Sequence, residues 1–371
     1  TSSTTDARPV LLTAALITRD EAHFLPDCLA ALAGVVDEIV VVDTGSRDAT
    51  PSIARSFGAV VVDHPWHGDF AEARNAGLAL ARGEWILYID ADERFSVHGD
   101  LKATLAESDV VAGLVRFRSA TAFTEYLEYR LFRNRPDVRF RGAIHETIMF
   151  DLDRVIASEG ARAVPMPASI THLGYEGDQT AKHRRNLPLL ERSVLEYPER
   201  TYLWLHLGAI RLAIGDPAGA DDAWSHGVAV TRARGSMNGP AMLTFVDLAL
   251  HRVRSGRSAA DLVADLELFR PDDPLTSWAK AHQAMFEQRW ADAVPLLEAL
   301  LDIDLAELST EVGYNRSIFG SFAAHALGSC RFHLGDFAEA AELFGRAEAA
   351  DPTNPEYRVK RELAEARAGR G

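Results

Sequence analysis

The feature that most constrains this chain is a change of hydrophobic period near residue 180. Before it, short apolar runs rich in β-branched residues alternate with segments of helical period; after Asp178 almost every segment is helical. Leu11–Thr18 is the first apolar run. Leu25, Cys28, Leu29 and Leu32 then fall at i, i+3, i+4 and i+7, which predicts a helix over Asp20–Ala33. Glu38–Asp43, EIVVVD, does not alternate, so it reads as a strand buried on both faces. Asp48–Phe57 is a helix opened by Asp48 or Thr50 and stopped by Gly58. Ala59–Asp63 is a third strand, Phe70–Ala81 a helix and Glu84–Asp90 a fourth strand. Val110–Arg118, Tyr126–Phe132, Val138–Phe140 and Ala168–His172 are further strands with longer, more polar connections, an appended region that finishes a pocket. Such alternation predicts an α/β domain with a mainly parallel sheet covered on both faces. Ligands bind these sheets beyond the carboxyl ends of the strands, where Asp43 and Asp90 stand.

The helical half carries a repeat. Ser321–Pro352 fits one tetratricopeptide unit, through Leu327-Gly328, Gly335, Ala340, Phe344, Ala347 and Pro352. Trp204, Leu207-Gly208, Gly215, Ala220 and Trp224 match the same register, and Ala281, Trp290, Ala293 and Leu297 form a degraded copy. Spacing is irregular, with 73 positions from Gly208 to Ala281 and 47 from Ala281 to Gly328. The expectation is stacked helical hairpins with insertions, against the alternative of an ordinary helical bundle. The boundary falls at 180, giving an α/β domain over 9–180 and an all-α domain over 181–371.

Charge and cysteine content narrow the function. With 371 residues and a net charge of −15, the chain is unsuited to sequence-independent nucleic-acid binding, which needs Lys and Arg against phosphates. A basic pocket for one phosphorylated ligand stays compatible with that charge. Cys28 and Cys330 lie 302 positions apart, too few and too distant for a disulfide scaffold, so a reducing, cytoplasmic setting is expected. No run approaches the roughly 18 apolar residues of a membrane span. Val10–Ile17 lacks the basic flank and cleavage site of a signal peptide.

Four motifs of the first half converge. Asp90-Ala91-Asp92 follows a buried strand, and two carboxylates at that spacing can hold a divalent cation that bridges a diphosphate. Asp151-Leu152-Asp153 and Asp302-Ile303-Asp304 share the spacing without ending a strand of the parallel sheet, and read as capping or surface carboxylates. Asp43-Thr44-Gly45-Ser46 ends the second strand. Asp43 can accept from a base N–H or a ribose hydroxyl, or it can simply cap its own turn. Asp69–Asn75 opens a helix, where Arg74 and Asn75 can anchor a base or position the metal-binding strand, or form a salt-bridged helix start. Arg141–Glu146 ends in a carboxylate after a Gly turn, which can deprotonate an acceptor; His145 is the competing base. Either His145 or His172 could also serve a metal. Arg130, Arg133, Lys182 and Arg185 could gather at a leaving diphosphate.

Here the pattern becomes specific. The stretches ITRDEAHFLPDCLAALAGVVDEIVVVDTGSRDATPSIA and HGDFAEARNAGLALARGEWILYIDADE resemble family 2 glycosyltransferases of the GT-A fold. YRLFRN, FRGAIHE, ITHLGY and KHRRNLPLLE resemble the subgroup with C-terminal tetratricopeptide repeats. The resemblance implies that Thr18, Asp20 and Glu21 line the base pocket, although the family often has Lys-Asn where this chain has Arg19-Asp20. It implies that Asp43 contacts base or ribose, that Arg74 helps hold the nucleotide, and that Asp90 and Asp92 are the Asp-x-Asp pair, Asp92 being the more direct metal ligand. Glu146 stands where such enzymes place the catalytic base, and His172 resembles their metal-binding histidine. The implied reaction is inverting transfer, dependent on Mg2+ or Mn2+, from a nucleotide-diphosphate sugar, a UDP-sugar ahead of other bases. The acceptor is a hydroxyl or thiol of a peptide, saccharide or natural product, and the repeats could bind it or form a homodimer. A nucleotidyltransferase would want a Gly-rich, Lys-containing loop, and ITRDEAHFL has no glycine. A non-catalytic repeat scaffold would not need the intact Asp-x-Asp.

Overall fold

The structure, a computed structural model, describes residues 11–119, 123–173 and 180–369. It divides into two compact units. The first takes the chain up to Ala181 together with Pro188–Ser193; the second takes Lys182–Leu187 and Val194 onward, joined by the short segment Phe123-Thr124.

The first unit runs β1 (Leu12–Thr18), α1 (Leu25–Leu32), β2 (Glu38–Asp43), α2 (Thr50–Ser56), β3 (Val60–Asp63), α3 (Phe70–Leu78), β4 (Trp85–Tyr88), β5 (Glu93–Val97), α4 (Leu101–Leu105), β6 (Val110–Ser119), β7 (Tyr126–Arg133), α5 (Met149–Glu159) and β8 (Arg162–His172). Its eight strands form one sheet, in the order β3-β2-β1-β4-β7-β6-β8-β5. β3, β2, β1 and β4 are parallel, so their carboxyl ends share one edge, and the register sets Thr18 beside Asp43. β7 is antiparallel to β4 and β6. β8 runs parallel to β6 and antiparallel to β5. Val40, Val41 and Val42 are fully buried, as the unalternated run requires. Trp85 is also fully buried, and its indole N–H donates to the Leu105 carbonyl at 2.9 Å. Burial of such a ring contributes about 2–3 kcal/mol, and the hydrogen bond removes the cost of sequestering its polar edge.

Local chemistry shifts three expected elements. α1 begins at Leu25 because Asp20 adopts a left-handed conformation, φ 57°. Its N–H donates to Ser46 Oγ and its carboxylate accepts from the Arg47 N–H, tying it to another loop. Val138–Phe140 is not a strand: the Phe140 N–H and carbonyl are both taken by the Asn75 side-chain amide. β8 starts at Arg162, six residues before the expected Ala168, and pairs with the unforeseen strand β5.

The second unit shares α6 (Thr180–Glu196) with the first and continues with α7 (Thr201–Ala213), α8 (Pro217–Arg234), α9 (Gly239–Arg254), α10 (Ala260–Phe269), α11 (Pro274–Phe286), α12 (Trp290–Leu301), α13 (Ser321–Leu334), α14 (Phe337–Ala350) and α15 (Pro355–Ala368). α7 packs on α8, α11 on α12 and α13 on α14, at the three repeat-like stretches. α9 and α10 form a fourth pair inside the 73-residue gap, which therefore spans two repeats of roughly 34 residues. The 47-residue gap is lengthened by residues 302–320, which hold two short 3₁₀ turns. Gly208 is required by its neighbour: a Cβ there would lie 2.3 Å from Trp224 Nε1. Both cysteines are buried free thiols. Among the described residues no helix is long and apolar enough to cross a membrane.

Candidate active site

The site grows from the shared edge of the parallel strands. Thr18 ends β1, and its buried Oγ1 has no partner among the described residues. Asp43 ends β2 and accepts from the Gly45 N–H (3.2 Å), the Ser46 N–H (3.0 Å) and Ser46 Oγ (2.5 Å). Gly45 has φ 105°, a left-handed turn that other residues rarely adopt. The Glu21 N–H donates to Thr50 Oγ1 at 2.8 Å, stitching the loop after β1 to α2. Burial and the nearby carboxylates of Asp92, Asp90, Asp48 and Asp20 push the Glu21 carboxyl up to about 7. Further negative charge is therefore disfavoured at this end of the strands.

β4 leads into Asp90-Ala91-Asp92. Arg74, on the second turn of α3, is a buried hub: Nη2 donates to Asp90 Oδ1 at 2.9 Å and Nε donates to Glu146 Oε1 at 2.5 Å. Burial would raise the Asp90 carboxyl, but Arg74 and Arg130 outweigh it and hold it below the usual range. Those same carboxylates reverse the effect of burial on Arg74, which stays firmly protonated. Glu146 rides on a loop closed by reciprocal backbone bonds between Arg141 and Thr147, at 2.9 and 3.0 Å. The Phe70 N–H donates to the Ala143 carbonyl, and the Asn75 amide grips Phe140 by two 2.9 Å bonds, so α3 carries both the arginine and the loop. His145 has φ 49°.

Pairing of β5 with β8 sets Glu93 opposite His172, and this places His172 Nε2 3.2 Å from Asp92 Oδ2. Glu93 accepts the Asp90 N–H at 2.9 Å and is gripped by both terminal nitrogens of Arg130, at 3.1 and 2.7 Å. Burial pushes the Glu93 carboxyl up to about 7 despite that arginine.

The edge thus brings together Arg74, Asp90, Asp92, Glu146 and His172 from four separate stretches of sequence. Residues 13–150 match the model of "Glycosyl transferase family 2". This segment is a family 2 glycosyltransferase domain. The chain is 34% identical over 265 residues to a TPR repeat-containing protein of Synechococcus elongatus, an alignment covering 69% of this chain and 64% of that one. It is 29% identical over 208 residues to the SPbeta prophage-derived glycosyltransferase SunS of Bacillus subtilis, covering 51% and 46%. The chain therefore spans less than two thirds of the length of these relatives. Among solved structures it is similar to TarS 1-349 of S. aureus, with a TM-score of 0.40, 14% identity, and coverage of 76% and 92%.

Within the family 2 domain several expected roles change. Arg130 is not available to a diphosphate: Glu93 and Glu128 hold its guanidinium, packed 4.8 Å over the Tyr88 ring. Arg133 pairs with Trp85 at the opposite end of β4 and donates to the Val110, Leu105 and Glu107 carbonyls. The antiparallel course of β7 carries it away from the site. Asp90 does not converge with Asp92 and His172 into a three-donor cluster among the described residues, because its carboxylate is turned to Arg74. Ala91 between them is buried. Lys182 and Arg185 are exposed on the part of α6 that groups with the second unit. Gly174 and Tyr175 of ITHLGY lie outside the described residues. Asp151 of the second Asp-x-Asp is a buried partner of Arg141 and Arg154, not the surface or capping carboxylate expected. Glu93 was missed. Its only sequence signal is an acid directly after Asp92, and its partner Arg130 lies 37 positions away.

The remaining donors fit a cation. Asp92 Oδ2 and His172 Nε2, 3.2 Å apart, can occupy adjacent coordination positions of one ion. A carboxylate with an imidazole, completed by phosphate oxygens and water, suits Mn2+ at least as well as Mg2+.

Proposed function

We propose that the chain is a glycosyltransferase that moves a sugar from a nucleotide-diphosphate sugar to an acceptor hydroxyl or thiol with inversion of configuration. The observation that carries the reading is the Arg74 bridge between Asp90 and Glu146, set beside the Asp92–His172 pair on the edge where such sheets bind ligands.

Thr18, Asp20, Glu21 and Asp43 surround the base and ribose. Thr18 Oγ1, buried and unpartnered among the described residues, is the group that a bound nucleotide would satisfy. Asp92 and His172 would hold Mg2+ or Mn2+, which neutralises the diphosphate. Arg74 fixes the distance between the metal-side strand end and the loop of Glu146. Glu146 Oε1 is held by Arg74, and Oε2 takes the proton of the attacking acceptor. The acceptor reaches the anomeric carbon from the face opposite the nucleotide, and the bond from that carbon to the diphosphate oxygen breaks as the new one forms, releasing the nucleoside diphosphate.

The test is a thermal-shift panel of UDP-, GDP-, ADP- and dTDP-sugars with Mn2+ or Mg2+, followed by a transfer assay and NMR of the product anomer. A donor at 100 times its Kd stabilises the protein by about 2.7 kcal/mol. Asp92→Ala is expected to lose the metal-dependent part of that shift. No stabilisation by any donor, or a product of retained configuration, overturns the scheme.

A further inference from the structure

A second group of ligating side chains lies outside the machinery just described. His64 follows β3, His67 stands in the next loop and Glu72 is on the first turn of α3. His64 Nε2 lies 3.3 Å and His67 Nδ1 2.8 Å from the same oxygen, Glu72 Oε1. All three donor atoms lie within 4.8 Å of one another. A tetrahedral ion with bonds of roughly 2.0–2.1 Å sets its donors about 3.3 Å apart, so small side-chain movements would seat one.

Backbone bonds hold the frame that carries these donors. The His64 N–H donates to the Asp43 carbonyl at 2.9 Å, fixing one imidazole to the end of β2. The Glu72 N–H is capped by Asp69 Oδ1 at 2.9 Å, fixing the carboxylate to the helix start. Between them Gly68 turns with φ 77°, and the Trp66 and Phe70 rings pack edge to face at 4.6 Å, drawing the loop onto α3.

We propose that His64, His67 and Glu72 form a second metal site, selective for a borderline transition ion such as Zn2+ and distinct from the Asp92–His172 pair. Two imidazoles and one carboxylate suit Zn2+, Ni2+ or Cu2+ rather than Mg2+. Partial exposure of all three residues leaves coordination positions for water or a further ligand. The two sites share no residue, and their strands, β3 and β8, stand six places apart in the sheet order. Metal here would pin the first turn of α3, two residues before Arg74.

Co2+ is the probe, because its visible absorption reports low-coordinate nitrogen and oxygen ligation. Titration of the metal-stripped full chain is expected to give one Co2+ equivalent with these bands, displaced by stoichiometric Zn2+. His67→Ala and Glu72→Gln are expected to weaken uptake by on the order of 100-fold and to abolish the Zn2+-dependent rise in Tm. Asp92→Ala is expected to retain both. His67 is more than half exposed, so its substitution should leave the metal-free Tm unchanged. The proposal is overturned if the wild-type chain develops no low-coordinate Co2+ bands at micromolar concentration, if those bands survive His67→Ala, or if Asp92→Ala removes them.

Discussion

The two units bury polar groups in opposite ways. Glu38, Asp43, Arg74, Glu93, Arg130 and Asp151 are all buried in the first. In the second, the polar residues buried as whole residues among the described ones are Thr124, Thr201, Thr231, Thr244, His251, Thr276, Gln283 and Ser321, and the one near-buried carboxylate among the described ion pairs is Asp273, which accepts from the Tyr314 hydroxyl and pairs with Arg270. Burying charge costs several kcal/mol per ion unless it is paired and hydrogen-bonded. The helical unit avoids that cost, and its stability rests on apolar packing around Trp224, Phe245 and Leu297. The α/β unit accepts the cost, and two of its paired networks, through Arg74 and Arg130, converge on the strand end that carries Asp90. The difference teaches where chemistry is located: charge is buried where it must be held in place before a substrate arrives.

Removing the hub should break this contrast most strongly. Arg74→Met leaves Asp90 and Glu146 without their shared cation, and breaking a buried pair costs about 3–5 kcal/mol. Transfer should fall by more than a thousandfold, and the first-unit urea midpoint should drop; kinetics and chemical denaturation read both. Arg74→Lys retains the charge without the fork, so it should recover stability more than turnover. Glu146→Gln separates position from chemistry. It keeps an acceptor oxygen toward Arg74 and should lower kcat by roughly 10²–10⁴-fold, with KM for the donor nearly unchanged. Unaltered turnover would remove Glu146 from the role of base.

How much of this was legible follows from the range of each signal. β2 was legible to the residue, because an unbroken run between Glu38 and Asp43 has one reading. Glu146 and Arg74 were legible as candidates, but not their ion pair, since 72 positions separate them. Arg130 and Arg133 were misread for two physical reasons. A strand's sequence does not state which end meets a site, and β7 runs against β4. Nor does composition reveal that one guanidinium is already claimed by a buried carboxylate. The pair α9 and α10 escaped notice because it buries Met242, Phe245 and Leu248 without the Trp–Leu–Gly pattern. The His64–His67–Glu72 group is spread over a strand end, a loop and a helix, so no single periodicity contains it.

A smaller effect tests the apolar side of the comparison. Gly208→Ala would set a methyl 2.3 Å from Trp224 Nε1, whose ring also donates to the Leu205 carbonyl at 3.1 Å. A rigid indole gives way poorly, and overpacking costs about 1–3 kcal/mol. The second-unit unfolding midpoint should fall by that amount while donor-induced stabilisation of the first unit persists. Loss of both together would show that the two units unfold as one.

The smallest expected effect concerns a second carboxylate of the helical unit. Asp247 on α9 is half-buried, and burial pushes its carboxyl up to about 7, with Arg254 pulling the other way. A carboxyl raised in the folded state binds more protons there than in the unfolded chain between its ordinary value and about 7. Its contribution to stability is therefore fully present below about pH 4 and is lost as pH rises through 7. Partial solvent access limits the effect to about 1 kcal/mol or less. Urea midpoints of the second unit at pH 5 and pH 8 are expected to differ less in Asp247→Asn than in the wild-type chain, with the wild type weaker at pH 8. A wild-type unit that gains stability between those pH values through Asp247 would place that carboxylate in an ion pair, and the helical unit would then share the charge-burying strategy of the first.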